Sequence, residues 1–255
     1  MSAGKHVVIV SFGGGIASSI AGPLDVFEFA RANAEGAGDF RVTVLSKDGA
    51  AVNCGGSVTV TPTGSVHDVG DVDFIFLAGM PCDVDAVLAD NDAVCDWLRQ
   101  QVARGAEIAA VCPSQALLAH SGLLNGRNVA MHWSLIDEVR ARWPAVNWTT
   151  DRMVVEDRGI YSCCGAGAAI DLALYIVDGL CGRDAMLACT QWFLMDLPRV
   201  RQNVPPPRFD RAPGSDSLME PVESWILGHF HEPVQFQALA GQFGMSWRTF
   251  YRRFQ

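Results

Sequence analysis

Short, uniformly apolar runs alternate with stretches of helical periodicity through the first two hundred residues. Ile108–Cys112 is too short for a helix and too evenly apolar for a strand with one wet face, so it reads as a buried parallel strand. His6–Phe12 and Phe40–Ser46 read as further strands and Asp73–Ala78 as another parallel one, and Ala51–Thr61, with Gly55-Gly56 at its centre, reads as a β-hairpin or a bulged strand pair. Between these runs the pattern changes period. Ser19–Ala34, with Pro23 near its start, is helical, as is Asp90–Arg104, which sets Val94, Trp97, Leu98 and Val102 on one face and stops at Gly105. This alternation predicts an α/β protein with a doubly wound, mostly parallel sheet.

Further along, Ser134–Trp143 is a helix ended by Pro144, and Met153–Glu156 and Gly159–Cys163 form a strand pair joined by Asp157-Arg158. Gly165–Leu180 is a helix whose Ala166, Ala168 and Ala169 permit close packing against the sheet or a partner subunit, and Arg183–Leu197 continues as helix. Periodicity stops at Pro198. Residues 199–216 hold four arginines and Pro205-Pro206-Pro207, which predicts a stiff linker. Beyond it Leu218, Val222, Trp225, Ile226 and Phe230 restore an apolar helical face. The last segment places Ala240 and Gly244 where a helix-turn-helix needs a small contact residue and a turn, with Leu239, Phe243, Met245 and Phe250 as its core and Ser246 as the cap of the second helix. The predicted organisation is therefore an α/β domain over 1–198, a linker over 199–216 and a small all-α region over 217–255.

Charge sharpens that division. The chain carries 19 Lys+Arg against 28 Asp+Glu, a net charge of -9. Residues 199–255 hold seven basic and five acidic side chains, leaving twelve against twenty-three in the body: an acidic domain with a mildly basic tail. With 49% apolar and 18% charged residues the composition is that of an ordinary globular protein. Eight cysteines show no C-x-x-C and no histidine at zinc-ligand spacing, so no metal site and a reduced compartment are expected. The glycines at 13–15 interrupt the first apolar run before it could serve as a signal sequence, and no run is long enough to span a bilayer. A cytoplasmic protein without membrane partners is the expectation.

Candidate chemistry centres on Cys112. A strand that ends at Cys112-Pro113-Ser114 and turns at once into a helix has the form of a nucleophile elbow, next to a helix N-terminus that favours a thiolate. His132 is the natural imidazole partner. Pro113 has no N–H to offer an oxyanion, which counts against acyl-transfer chemistry. The Gly13-Gly14-Gly15 turn lacks the third glycine of a dinucleotide fingerprint, since Ser18 stands there, so no nucleotide cofactor is expected and close backbone approach beneath the cysteine turn is the preferred reading.

The segments VCPSQALLAHSGLL, NVAMHW and SCCGAGAAIDLAL, followed by MSWRTFYRRF, resemble the ThiJ/PfpI group of the class I glutamine-amidotransferase-like superfamily, in its GlxA-like branch fused to an AraC/XylS-type reader. The likeness covers residues 5–198 and 217–255. It implies a flavodoxin-like fold and a pocket lined by Ser19, Gly79, Met80, Cys112, Pro113, His132 and Cys163. Enzymes of the superfamily carry an acid where Ser19 stands and often a second glycine at Met80, so the resemblance implies a domain that binds a small effector or dimerises, without catalysis at Cys112 or His132. It also implies DNA contact through Ser246, Trp247, Arg248, Thr249, Tyr251, Arg252 and Arg253, from a homodimer. The family's second helix-turn-helix has no counterpart before Gln255, which predicts weak DNA binding by this chain alone, from a region that packs on the main domain or is poorly ordered. The alternative is a cysteine-dependent hydratase, glyoxalase or amidase-like enzyme using Cys112.

Overall fold

The computed structural model describes residues 5–33, 40–195, 219, 222, 225 and 235–254. The chain falls into two compact units, Met1–Pro206 and Pro207–Gln255. The stretch read as a linker, and most of the apolar segment around 218–230, lie outside the described residues.

In the first unit, strand β1 (Lys5–Val10) leads through the glycine turn to helix α1 (Ser18–Asn33) and then β2 (Phe40–Ser46). A small antiparallel hairpin follows, β3 (Val52–Asn53) with β4 (Thr59–Val60), then β5 (Gly64–Ser65) and β6 (Phe74–Leu77). Helices α2 (Val84–Leu88) and α3 (Asp92–Ala103) bring the chain to β7 (Glu107–Val111) and α4 (Gln115–His120). Next come β8 (Asn128–Ala130), α5 (Ile136–Arg142), β9 (Asn147–Thr149), β10 (Val154–Asp157), β11 (Ile160–Cys163), α6 (Ala169–Cys181) and α7 (Arg183–Trp192).

The sheet has seven strands in the order β10-β11-β7-β6-β1-β2-β5, every pairing parallel except the β10–β11 hairpin. Arg158 and Gly159 both have positive φ, 53° and 77°, which closes that hairpin in the twist its strands require. The chain winds outward from β1 to β2 and β5, then returns to β6 on the other side of β1. The carboxyl ends of β1 and β6 therefore form the topological switch point.

Both faces of the sheet are covered, and strand alternation sorts the core. Val8, Val10, Ile75, Leu77, Ile108 and Ala110 pack with Leu98 and Leu117 from α3 and α4, whereas Val7, Ile9, Phe74, Phe76, Ala109 and Val111 pack with Phe27, Leu172 and Met186 from α1, α6 and α7. No described helix is long and apolar enough to cross a membrane.

In the second unit, α8 (Phe236–Gln242) and α9 (Trp247–Phe254) are joined by a tight turn in which Gly244 adopts φ +67° and Met245 N–H returns to the Ala240 carbonyl at 2.9 Å. Met219, Val222, Leu239, Ala240 and Phe250 form its buried cluster.

Candidate functional site

The elbow forms where the sequence places it, between the end of β7 and α4, with a cis bond from Cys112 to Pro113. The thiol, however, is not lifted above the sheet edge. Cys112 continues the inward register of Ile108 and Ala110, joins their cluster, and is 2% exposed. Its sulfur lies 3.4 Å from Met131 Sδ, a side chain that is itself fully buried. Burial pushes the thiol up to about 12, the neighbouring Cys82 and Cys164 thiols add to the rise, and only a backbone N–H of His132 opposes it. The thiolate expected from the helix N-terminus is thus not the resting form.

The imidazole of His132 does not bond to that sulfur. Its Nδ1 takes the Ser134 hydroxyl at 2.7 Å, and its ring lies 5.1 Å from that of Trp133. Desolvation lowers its pKa. Ser19 is fully buried and spends both hydrogen-bonding roles on backbone: its Oγ donates to Ile16 O at 2.6 Å and accepts the Gly79 N–H at 2.8 Å. It is a clip between the start of α1 and the exit of β6. Asp25, the nearest acid in sequence, is exposed.

The close backbone approach expected of the glycine-rich turn beneath Cys112 belongs mainly to Gly79. A Cβ there would stand 3.2 Å from Ser19 Oγ and Val111 Cγ1 and 3.3 Å from Cys112 O. Gly15 is also tight, but against Phe12 O and Gly79 O. Gln115, a polar residue inside an apolar helical run, was not singled out by sequence. Its buried amide donates to Ala130 O at 3.1 Å and Cys163 O at 2.8 Å, fixing α4 to β8 and β11.

Of the seven residues expected to line a pocket, Ser19, Gly79, Met80, Cys112, Pro113 and Cys163 are buried in contact with backbone or core, and His132 is half-exposed. Open space lies to one side of them. A cavity of about 460 Å3 occupies the switch point, lined by Gly13, Gly14, Lys47, Asn53, Met80 and Asp90 among others. Gly14 N–H bonds Asn53 O at 2.8 Å, holding the β3–β4 hairpin as one wall, and Lys47 Nζ reaches Asp90 Oδ2 at 2.5 Å as another. That ammonium holds the Asp90 carboxyl below its usual range. Met80 is the one expected pocket residue that borders this cavity. Among the described residues no group of three His, Cys, Asp or Glu side chains is placed to hold a metal.

In the second unit α9 exposes Trp247, Arg248, Tyr251 and Arg252, four positions that form one continuous stripe on a helix. Thr249 and Arg253 are half-buried. Ser246 and Thr249 bond each other through their hydroxyls at 2.8 Å, and Ser246 Oγ accepts the Thr249 N–H at 3.2 Å, the cap that starts the helix. Of the seven residues expected at DNA, the structure gathers four on one face and commits the hydroxyls of Ser246 and Thr249 to the cap.

A doubly wound sheet whose parallel strand β7 ends in a cysteine elbow defines a flavodoxin-like α/β protein of the amidotransferase-like kind. The sequence pattern of the DJ-1/PfpI family matches residues 5–179, and the chain belongs to that family. It is 24% identical over 222 residues to the HTH-type transcriptional regulator GbdR of Pseudomonas aeruginosa, an alignment spanning 85% of this chain and 58% of that one. It is 30% identical over 151 residues to Protein DJ-1alpha of Drosophila melanogaster, covering 58% of this chain and 68% of the relative. A crystal structure of a putative transcriptional regulator from Vibrio parahaemolyticus superposes with a TM-score of 0.66 at 23% identity, over 74% of this chain and 99% of the other. The chain thus spans a little over half the length of the regulator it matches.

Proposed function

We propose that the chain is a DNA-binding transcriptional regulator of AraC/XylS type, in which a non-catalytic DJ-1/PfpI domain senses a small effector or dimerises. The observation that carries this reading is the outward stripe of α9, with Arg248 and Arg252 beside two aromatic rings and no acidic residue anywhere from Ser246 to Gln255. In a helix-turn-helix the second helix enters the major groove and its leading residues meet base edges. Trp247, Arg248 and Tyr251 then face bases and Arg252 a phosphate. Likeness to a named helix-turn-helix regulator supports the same reading. The homodimer belongs to the proposal, because two reading heads engage half-sites about 34–36 Å apart or a multiple of that spacing.

The effector, on this reading, enters the switch-point cavity rather than the space over the thiol. That cavity falls within the roughly 300–1,000 Å3 usual for small-molecule sites, and it is bounded by loops from β1, β2 and β6, which could transmit occupancy to the fold.

The test is selection of duplexes from a randomised pool by the full chain, followed by gel shift across salt. Sequence-selective retention that weakens with salt supports the regulator. The second reading, a cysteine-dependent enzyme, rests on the elbow itself. Turnover of methylglyoxal or an isonitrile that disappears in Cys112→Ala would favour it; the regulator reading expects none.

A further inference from the structure

We infer that Trp247 recognises thymine through its C5 methyl group. This rests on the DNA-binding reading of α9 and names what that helix reads. Trp247 is 43% exposed, yet its ring is not loose. It lies 5.8 Å from the Phe250 ring at 17°, a stacked pair, and Phe250 is 1% exposed within the core of the second unit. The indole is therefore packed against a fixed ring while much of its surface stays open. Tyr251, 5.9 Å away, extends the apolar surface along the stripe.

A pre-positioned flat ring loses little freedom on binding, so its contacts are not spent on ordering it. What it can recognise follows from its chemistry. An indole has one N–H donor and no acceptor, so it cannot make the two-point pattern by which an arginine identifies guanine or an asparagine identifies adenine. In the major groove the base-edge feature that an apolar surface selects is the thymine methyl. Arg248 and Arg252 share the exposed stripe with the ring and no acid lies on α9, so the surroundings are cationic and suit an anionic polymer. Arginine beside indole would give the helix one group for guanine and one for thymine on the same face.

The test changes the DNA rather than the protein. Duplexes enriched by the full chain from a randomised pool are resynthesised with each thymine replaced in turn by deoxyuridine, which removes only the methyl, and binding is compared at fixed salt. At a subset of thymines the replacement should weaken wild-type binding about three- to fivefold, the worth of one methyl withdrawn from an apolar contact. Trp247→Ala should bind thymine and uracil duplexes equally at those positions, and 5-methylcytosine placed there should recover part of the loss for the wild-type chain. Uniform indifference to uracil in wild type, or a thymine preference that survives in Trp247→Ala, overturns the inference while leaving DNA binding in place. A pool from which nothing is enriched overturns both.

Discussion

Cys112 and Trp247 each stand at the entry to a helix, and the structure gives them opposite fates: one side chain is 2% exposed and the other 43%. The cysteine has the backbone setting of a nucleophile but not its surface. Met131 covers the sulfur, Ser19 is tied to backbone where an acid would have to stand, and His132 turns to Ser134. The tryptophan has no special backbone setting, only a buried ring beneath it and arginines beside it. Chemistry at a helix start is decided by what the chain leaves open around it, and here the opening lies at the tail.

The strongest way to break the contrast is to remove the floor under Trp247. Phe250→Ala takes a fully buried ring from a small cluster, at a cost of about 3–5 kcal/mol, a large fraction of what a unit of this size holds. Amide exchange over 235–254 should lose its protection and DNA retention should vanish, with exchange in β1, β6 and β7 unchanged. Persisting protection in α9 would show that the second unit does not depend on this core.

Nearly as large an effect is expected at the sealed thiol. With its pKa pushed up to about 12, Cys112 should react with iodoacetamide at pH 8 roughly a thousandfold more slowly than an ordinary thiol. Exposed Cys82 should label first. Peptide mapping that finds the two modified at similar rates would mean that the elbow opens. The sign for stability is definite. A thiol held protonated costs nothing below its unfolded pKa and destabilises the fold as pH rises from there toward about 12.

Ser19→Ala sharpens the same comparison from the other side. It deletes the acceptor of the buried Gly79 N–H, and should cost about 1–3 kcal/mol in urea unfolding. Ser134→Ala, at an exposed position, should cost far less. If the two losses were equal, Ser19 would not be a clip.

Much of this frame was legible in the chain. The runs of β1, β6 and β7 are apolar on both faces because helices cover both, and that reads directly as a parallel sheet, whereas β2 keeps Arg41 exposed. The turn at Gly244 and the cap at Ser246 follow from backbone and hydroxyl chemistry within a few residues. What escaped depends on distance. β5 is two residues long, and β8 and β9 form a pair of three-residue strands, too short to carry a period. The closure of the elbow depends on a methionine nineteen positions away, whose side chain reaches the thiol only because β8 runs beside it. The switch-point cavity is built from Gly13, Lys47, Asn53 and Asp90, loop residues that no local pattern unites. Which of the seven expected contact residues share one outward face could be seen only once α9 had a buried side to be measured against.

The smallest effect expected separates the acidic body from its own core. His6 lies at the rim of β1, where Arg41 Nη2 approaches its Nδ1 at 3.1 Å and Nε2 meets Thr43 Oγ1 at 2.8 Å. A guanidinium only donates, so Nδ1 is the acceptor, Nε2 carries the proton and the ring is neutral. Burial is the largest cause lowering its pKa, Arg41 adds to it, and Asp73, which accepts the His6 backbone N–H at 2.7 Å, opposes both. A histidine held neutral contributes stability that is fully present above its unfolded pKa near 6.5, and that contribution is lost as pH falls below this value and the unfolded chain takes up the proton first. One proton bounds the slope at about 1.4 kcal/mol per pH unit. Urea midpoints for wild type should therefore fall between pH 7 and pH 5 more steeply than those of His6→Gln, which keeps a donor toward Thr43 and cannot titrate. Parallel curves would mean that the ring exchanges its partners freely and that the β1 rim is as open to solvent as the stripe on α9.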